Sequence, residues 1–199
     1  MHRCWSCRTE LPRDARYCYR CGLSQDDRQS LPLYVVDAST GLFNSVFVQA
    51  LVDHELTRAW RHKRPLAVVA IELDHVELVR DENDRRLERL TREVASLIKS
   101  VIRDTDTMGF LEGSGRPRFA VLLPETDWEG AVHAAGKIRD LVSDQTFDYL
   151  GNWQQLTLSC GVAAFDPESR EKRNLLQLAV QALETGQETG PNRIHAPRV

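Results

Sequence analysis

Leu66, Ala67, Val68, Val69, Ala70, Ile71 and Leu73 form a nearly continuous apolar run, broken only by Glu72. A run of this length without polar alternation predicts a β-strand covered on both faces. Upstream, Phe47, Leu51 and Leu56 recur at helical steps, and the helix they predict reaches residue 64, where Pro65 stops it. Asn44 or Ser45 supplies its cap, and Gly41 permits the turn before it. Leu87, Leu90, Val94, Ile98 and Val101 fall three or four residues apart and predict a long second helix. Residues 107–111 and 119–123 read as a strand pair around Gly113 and Gly115. Ala131, Ala134, Ala135, Ile138 and Val142 mark a third helix, 156–163 another strand, and 175–182 a last helix. Helices alternating with strands, one hairpin among them, predict an α+β fold with a ferredoxin-like central sheet under covering helices.

Composition narrows the class. The 199 residues suffice for one ordinary domain and a small appendage, and 42% hydrophobic residues suit a globular chain. A net charge of −3 gives no general attraction to nucleic acid or to anionic membrane. No apolar run approaches the roughly 20 residues that span a bilayer, and the polar, cysteine-bearing start is unlike a secretory signal. The expected address is the cytoplasm, where disulfides are disfavoured.

The clustered cysteines then need another explanation. Cys4-x-x-Cys7 and Cys18-x-x-Cys21 can each present two thiolates to one ion and together complete a tetrahedral shell. A redox Cys-x-x-Cys site would need a βαβ surround that is missing here. The segment resembles the short zinc ribbons that begin many bacterial proteins. Residues 1–23 are therefore expected to be a structural zinc ribbon, 24–36 a polar linker, and 37–199 the main domain. The ribbon carries Arg3, Arg8, Arg13, Arg16 and Arg20 beside Trp5, Tyr17 and Tyr19, a mixture found in nucleic-acid binders. Glu10, Asp14 and the −2 of a four-thiolate zinc centre reduce the module to about +1, too little for strong phosphate binding. A ribbon docking on protein is the expectation, and nucleic acid is not.

Several stretches of the main domain recur in one family in the same order. Asp37, Thr40, Gly41, Leu42 and Asn44 resemble the Asp-x-Leu-Thr-Gly-Leu-x-Asn entry of the GGDEF domain, the bacterial diguanylate cyclases that join two GTP molecules into cyclic di-GMP. Glu72, Asp74 and His75 are similar to its Asp-x-Asp-His segment, and Leu122-Leu-Pro124 to the end of its signature strand. Leu158-Ser-Cys-Gly-Val-Ala163 and Gly190-Pro-Asn-Arg-Ile194 resemble later elements. The resemblance implies a nucleotide-cyclase-type central sheet.

At the signature turn, Gly-Gly-Asp/Glu-Glu-Phe in the family, this chain reads Gly115-Arg116-Pro117-Arg118-Phe119. By that resemblance Pro117 replaces a magnesium-binding acid and Glu72 stands for its partner Asp. Arg80 takes the place of a guanine-contacting Asn, and Glu88 lies near a guanine-binding Asp. Glu77 and Gln187 replace phosphate-binding lysines, and Pro191 an arginine. Proline offers neither ligand nor amide donor, and one remaining carboxylate is a poor site for a hard dication carrying triphosphate. No magnesium nucleotide and no cyclase activity are expected; Glu72, Asp74 and Glu88 read as residual surface charge. From Asp106 to Phe119 the chain also counts about three residues more than the family, so the hairpin is expected to differ in shape.

Arg103 and Asp106 match the Arg-x-x-Asp inhibitory site of the family, and Lys137 a further basic position there. The resemblance implies cyclic di-GMP as the ligand, although a helix C-terminus alone would also favour an arginine. His54, His62, His75 and His133 show no metal pairing, Cys160 reads as a core residue, and Trp128 and Trp153 as packing or partner contacts. The expected protein is a non-catalytic regulator working through protein partners, with an active cyclase or a nucleic-acid-associated regulator as alternatives.

Overall fold

The structure is a computed structural model, describing residues 2–5, 8–13, 15–18, 20, 25, 35–37, 40–76, 85–111, 116–149, 152–168 and 173–198. Near the N-terminus two short strands, β1 (His2–Arg3) and β2 (Glu10–Leu11), pair antiparallel. The elements that follow are α1 (Ser45–His62), β3 (Leu66–Leu73), α2 (Arg85–Val101), β4 (Thr107–Leu111) and β5 (Arg118–Pro124). The chain continues through α3 (Trp128–Ser143), β6 (Thr146–Tyr149), β7 (Asn152–Gln155), β8 (Leu158–Phe165), α4 (Leu175–Glu188) and β9 (Ile194–His195).

Five strands form the central sheet in the order β4-β5-β3-β8-β9. The apolar run lies at its centre as β3, buried at all eight positions and antiparallel to β5 and β8. Its alternate residues serve different cores. Ala67, Val69, Ile71 and Leu73 face a cluster with Leu90, Val94 and Ile98 of α2 and Ala135, Ile138 and Val142 of α3. Leu66, Val68 and Ala70 face a second cluster, with Val48, Val52 and Leu56 of α1 and Leu176, Ala179 and Leu183 of α4. A polar residue at position 72 therefore lies on the α4 side of the sheet.

Local chemistry explains the helix boundaries. Asn44 caps α1 by accepting from the Phe47 amide at 2.8 Å, and Asp127 caps α3 through the Gly130 amide at 2.8 Å. The first helix ends at His62, with Lys63 left-handed at φ 53, so the expected extension to residue 64 is corrected. Its buried stripe is Val48, Val52, Leu56 and Ala59, with Phe47 and Leu51 only half-buried. The strand expected at 156–163 is Leu158–Phe165, and the last helix runs on to Glu188. Sequence patterning missed the β6–β7 hairpin and β9. The loop 112–115, where the turn was expected to be longer, lies outside the described residues. No helix among the described residues is long and apolar enough to cross a membrane.

Candidate functional site

The α4 side of the sheet ends at Glu72, which register places opposite Arg118 on β5 and Ser159 on β8. Glu72 is 2% exposed. Its Oε2 accepts from Arg118 Nε at 2.7 Å, and its Oε1 from Gln187 Nε2 at 3.0 Å. The Arg116 guanidinium lies 3.6 Å from Oε1. Arg118, itself nearly buried, extends from Glu72 to the Glu184 carboxylate at 3.3 Å. Three elements thus converge on one charge cluster, because Glu184 and Gln187 sit one turn apart on the face of α4 that covers the strand ends. Pro117 is buried, and its carbonyl accepts from the Leu73 amide at 3.2 Å.

Asp74 follows the strand and is 4% exposed. Its Oδ1 accepts from Ser159 Oγ, and its Oδ2 from Thr157 Oγ1 and the Asn192 amide, all at 2.8 Å. The expectation of residual surface charge is therefore wrong for Glu72 and Asp74: both are buried and hydrogen-bonded. Glu88 is exposed on α2, within 3.7 Å of Arg92 at the i+4 position, as a solvated charge should be. The dense bonding of these acids was hidden because their partners are 46 to 118 residues away in sequence.

Other expected residues are dispersed. Glu77 and Arg80 lie outside the described residues, and Pro191 is exposed. Arg103 is exposed just beyond α2, and its amide donates to Asp106 Oδ2 at 2.8 Å, while Asp106 returns its own amide to the Arg103 carbonyl at 2.9 Å. The pair thus forms a closed turn, and Asp106 Oδ1 is buried with no hydrogen-bond partner among the described residues. Lys137 is exposed on α3.

His54, His62, His75 and His133 are exposed. Cys160 is buried, and burial pushes its thiol well above the ordinary range. Trp128 does pack: its Nε1 donates to the Ala196 carbonyl at 3.2 Å and Arg198 lies over its ring at 4.3 Å. Trp153 is 75% exposed on β7. Of the four N-terminal cysteines, Cys4 and Cys18 are buried, while Cys7 and Cys21 lie outside the described residues. Among the described residues no group of three or more His, Cys, Asp or Glu is placed to hold a metal ion.

Residues 34–193 match the family described as diguanylate cyclase, GGDEF domain. Diguanylate cyclase A of Treponema denticola is 26% identical over 173 residues, covering 85% of this chain and 46% of the relative. The chain spans about half the length of the curated relatives it matches. Solved structures share the fold, among them two with a bound partner or ligand. Diguanylate cyclase SiaD of Pseudomonas aeruginosa, in complex with its activator SiaC, has a TM-score of 0.69 at 23% identity, over 80% of this chain and 60% of that one. The GGDEF domain of DgcB from Caulobacter crescentus, in complex with c-di-GMP, has a TM-score of 0.70 at 21% identity, over 81% of this chain and 94% of that one.

Proposed function

The chain belongs to the GGDEF domain family, and from that premise we propose that it is a regulatory member without cyclase chemistry. It pairs a short zinc ribbon with a degenerate cyclase frame in the cytoplasm, and it acts by binding a protein partner, with cyclic di-GMP as the ligand of the Arg103–Asp106 turn.

One observation carries the loss of catalysis: both oxygens of Glu72 are taken by donors from the chain itself. Phosphoryl transfer depends on metal ions and cations arranged around the charge that develops on the phosphate. A dication approaching Glu72 would meet the Arg118 guanidinium already bonded to the carboxylate, and like charges at such range repel strongly. Pro117 offers only a carbonyl, itself engaged in the sheet. Gln187, neutral where the family has lysine, donates to the same carboxylate instead of to a phosphate. These residues do not fit a magnesium nucleotide.

For the signal, the support is the turn at 103–106. An exposed guanidinium is suited to phosphate or a guanine edge, and the buried Asp106 Oδ1 has no donor among the described residues. The DgcB complex with c-di-GMP and the SiaD complex with its activator are examples of both ligand classes on this fold.

Purified protein with GTP and magnesium or manganese is expected to form no cyclic di-GMP. Product that disappears in Glu72→Ala would restore the enzyme reading. Calorimetric titration with cyclic di-GMP is expected to give binding heat that Arg103→Ala removes. No heat with the unaltered protein would leave a plain protein adaptor.

A further inference from the structure

We propose that the N-terminal unit is a closed structural zinc centre held by Cys4, Cys7, Cys18 and Cys21, in which the Gln25 amide orients the first thiolate. The centre lies outside residues 34–193, so it stands independently of the cyclase frame.

The fold brings one member of each cysteine pair into a single cluster. Cys4 comes from the first pair and Cys18 from the second, and both are buried in a cluster with Leu11, against which Trp5 and Ala15 pack. The chain reverses just after the first pair. Arg8, the residue following Cys7, is left-handed at φ 60, and its amide donates to the Cys4 carbonyl at 3.1 Å. A non-glycine residue adopts that conformation rarely, and here it accompanies the return of the chain to Cys4. The Cys4 amide is bonded to the Thr9 carbonyl at 2.9 Å, so the first ligand is held from its backbone as well. Cys7 and Cys21 enter through their spacing alone.

Gln25 supplies the observation that spacing does not contain. Its Nε2 donates to Cys4 Sγ at 3.5 Å, and its own amide is anchored on the Arg16 carbonyl at 2.8 Å. An N–H group aimed at a buried sulfur stabilises a thiolate better than a thiol, and such outer donors orient metal ligands. Cys4, Leu11 and Cys18 are the whole buried apolar cluster among the described residues of this unit. Three side chains cannot offset the entropy of ordering more than twenty residues, whereas metal binding can. Each cysteine releases its proton to solvent on binding, and four thiolates leave no open coordination position, so the centre is structural.

The full-length protein, purified without chelator, is expected to hold one zinc per chain by elemental analysis. Exchange with cobalt should bring the thiolate-to-cobalt absorption bands of a tetrahedral sulfur site. Cys4→Ser and Cys18→Ser should lose the metal, whereas Cys160→Ser should keep it. After unfolding in chelator, all five cysteines should titrate as thiols. Gln25→Ala should retain zinc but surrender it to a competing chelator about tenfold faster. Protein without zinc, zinc retained by both ribbon variants, or a single titrating thiol would overturn the centre. An unchanged release rate in Gln25→Ala would overturn the role of Gln25.

Discussion

Truncating Arg118 to alanine would leave the Glu72 carboxylate buried, with Gln187 and Arg116 among its remaining donors. Removing one member of a buried ion pair strands the other charge and typically costs 3–5 kcal/mol. Arg118→Ala is therefore expected to lower unfolding stability by about 3 kcal/mol in a urea titration. A loss below about 1 kcal/mol, the range of exposed pairs, would show that solvent already supports the carboxylate. Asp74→Asn tests the neighbouring acid. An amide provides one acceptor oxygen for the three donors that converge on Asp74, so a loss of about 2 kcal/mol is expected by the same measurement. An unaffected midpoint would deny Asp74 its structural role. From the sequence these acids looked like leftovers on the surface. That misreading came from local context, since a charged residue at a strand end is ordinarily exposed. Burial at Glu72 follows from a cross-strand register and a helix packed above it, neither of which lies near residue 72 in the chain.

The central strand was legible because it is apolar at nearly every position, and burial on both faces requires nothing else. Helix α1 was legible as a helix but not in its facing, because Phe47 and Leu51 compete with Val48 and Val52 for the same periodicity. The β6–β7 hairpin gave no signal. Asn152, Trp153, Gln154 and Gln155 are all exposed, so β7 has no alternation to detect. Glycine at 161 marks the closest approach between elements. A Cβ there would stand 2.1 Å from both the Ala179 carbonyl oxygen and the Leu183 nitrogen, backbone atoms of α4. Neither atom can swing aside without moving the helix. Gly161→Ala should displace α4 from β8 and reduce stability by about 3 kcal/mol or more, read as a lower denaturation midpoint. A midpoint within experimental error of the unaltered protein would mean that α4 floats on the sheet. The same displacement would shift Glu184 and Gln187, so the charge cluster at Glu72 depends on the close packing of α4 at Gly161, not on charge alone.

Across the whole molecule, flanking segments of the domain pair with part of each border of the sheet. Phe43 bridges to Gly109 within β4, and its carbonyl accepts from the Phe110 amide at 2.8 Å. On the other border β9 runs parallel to β8, fixed by the Cys160 amide on the Arg193 carbonyl at 2.7 Å. Uncovered strand edges invite pairing between chains. A chain ending at residue 190 is therefore expected to self-associate in light scattering, and a monodisperse product at the unaltered mass would show that β9 protects nothing. The domain class was readable from alternating elements, but these edge pairings were not, since two paired residues leave no periodic trace. The final segment also joins distant parts: Asn192 donates to Asp74 after β3, Arg193 accepts from β8, and Ala196 accepts from Trp128 on α3. A tether attached behind residue 198 would accordingly load three elements together, so mechanical pulling should break the domain in one abrupt event instead of peeling it strand by strand.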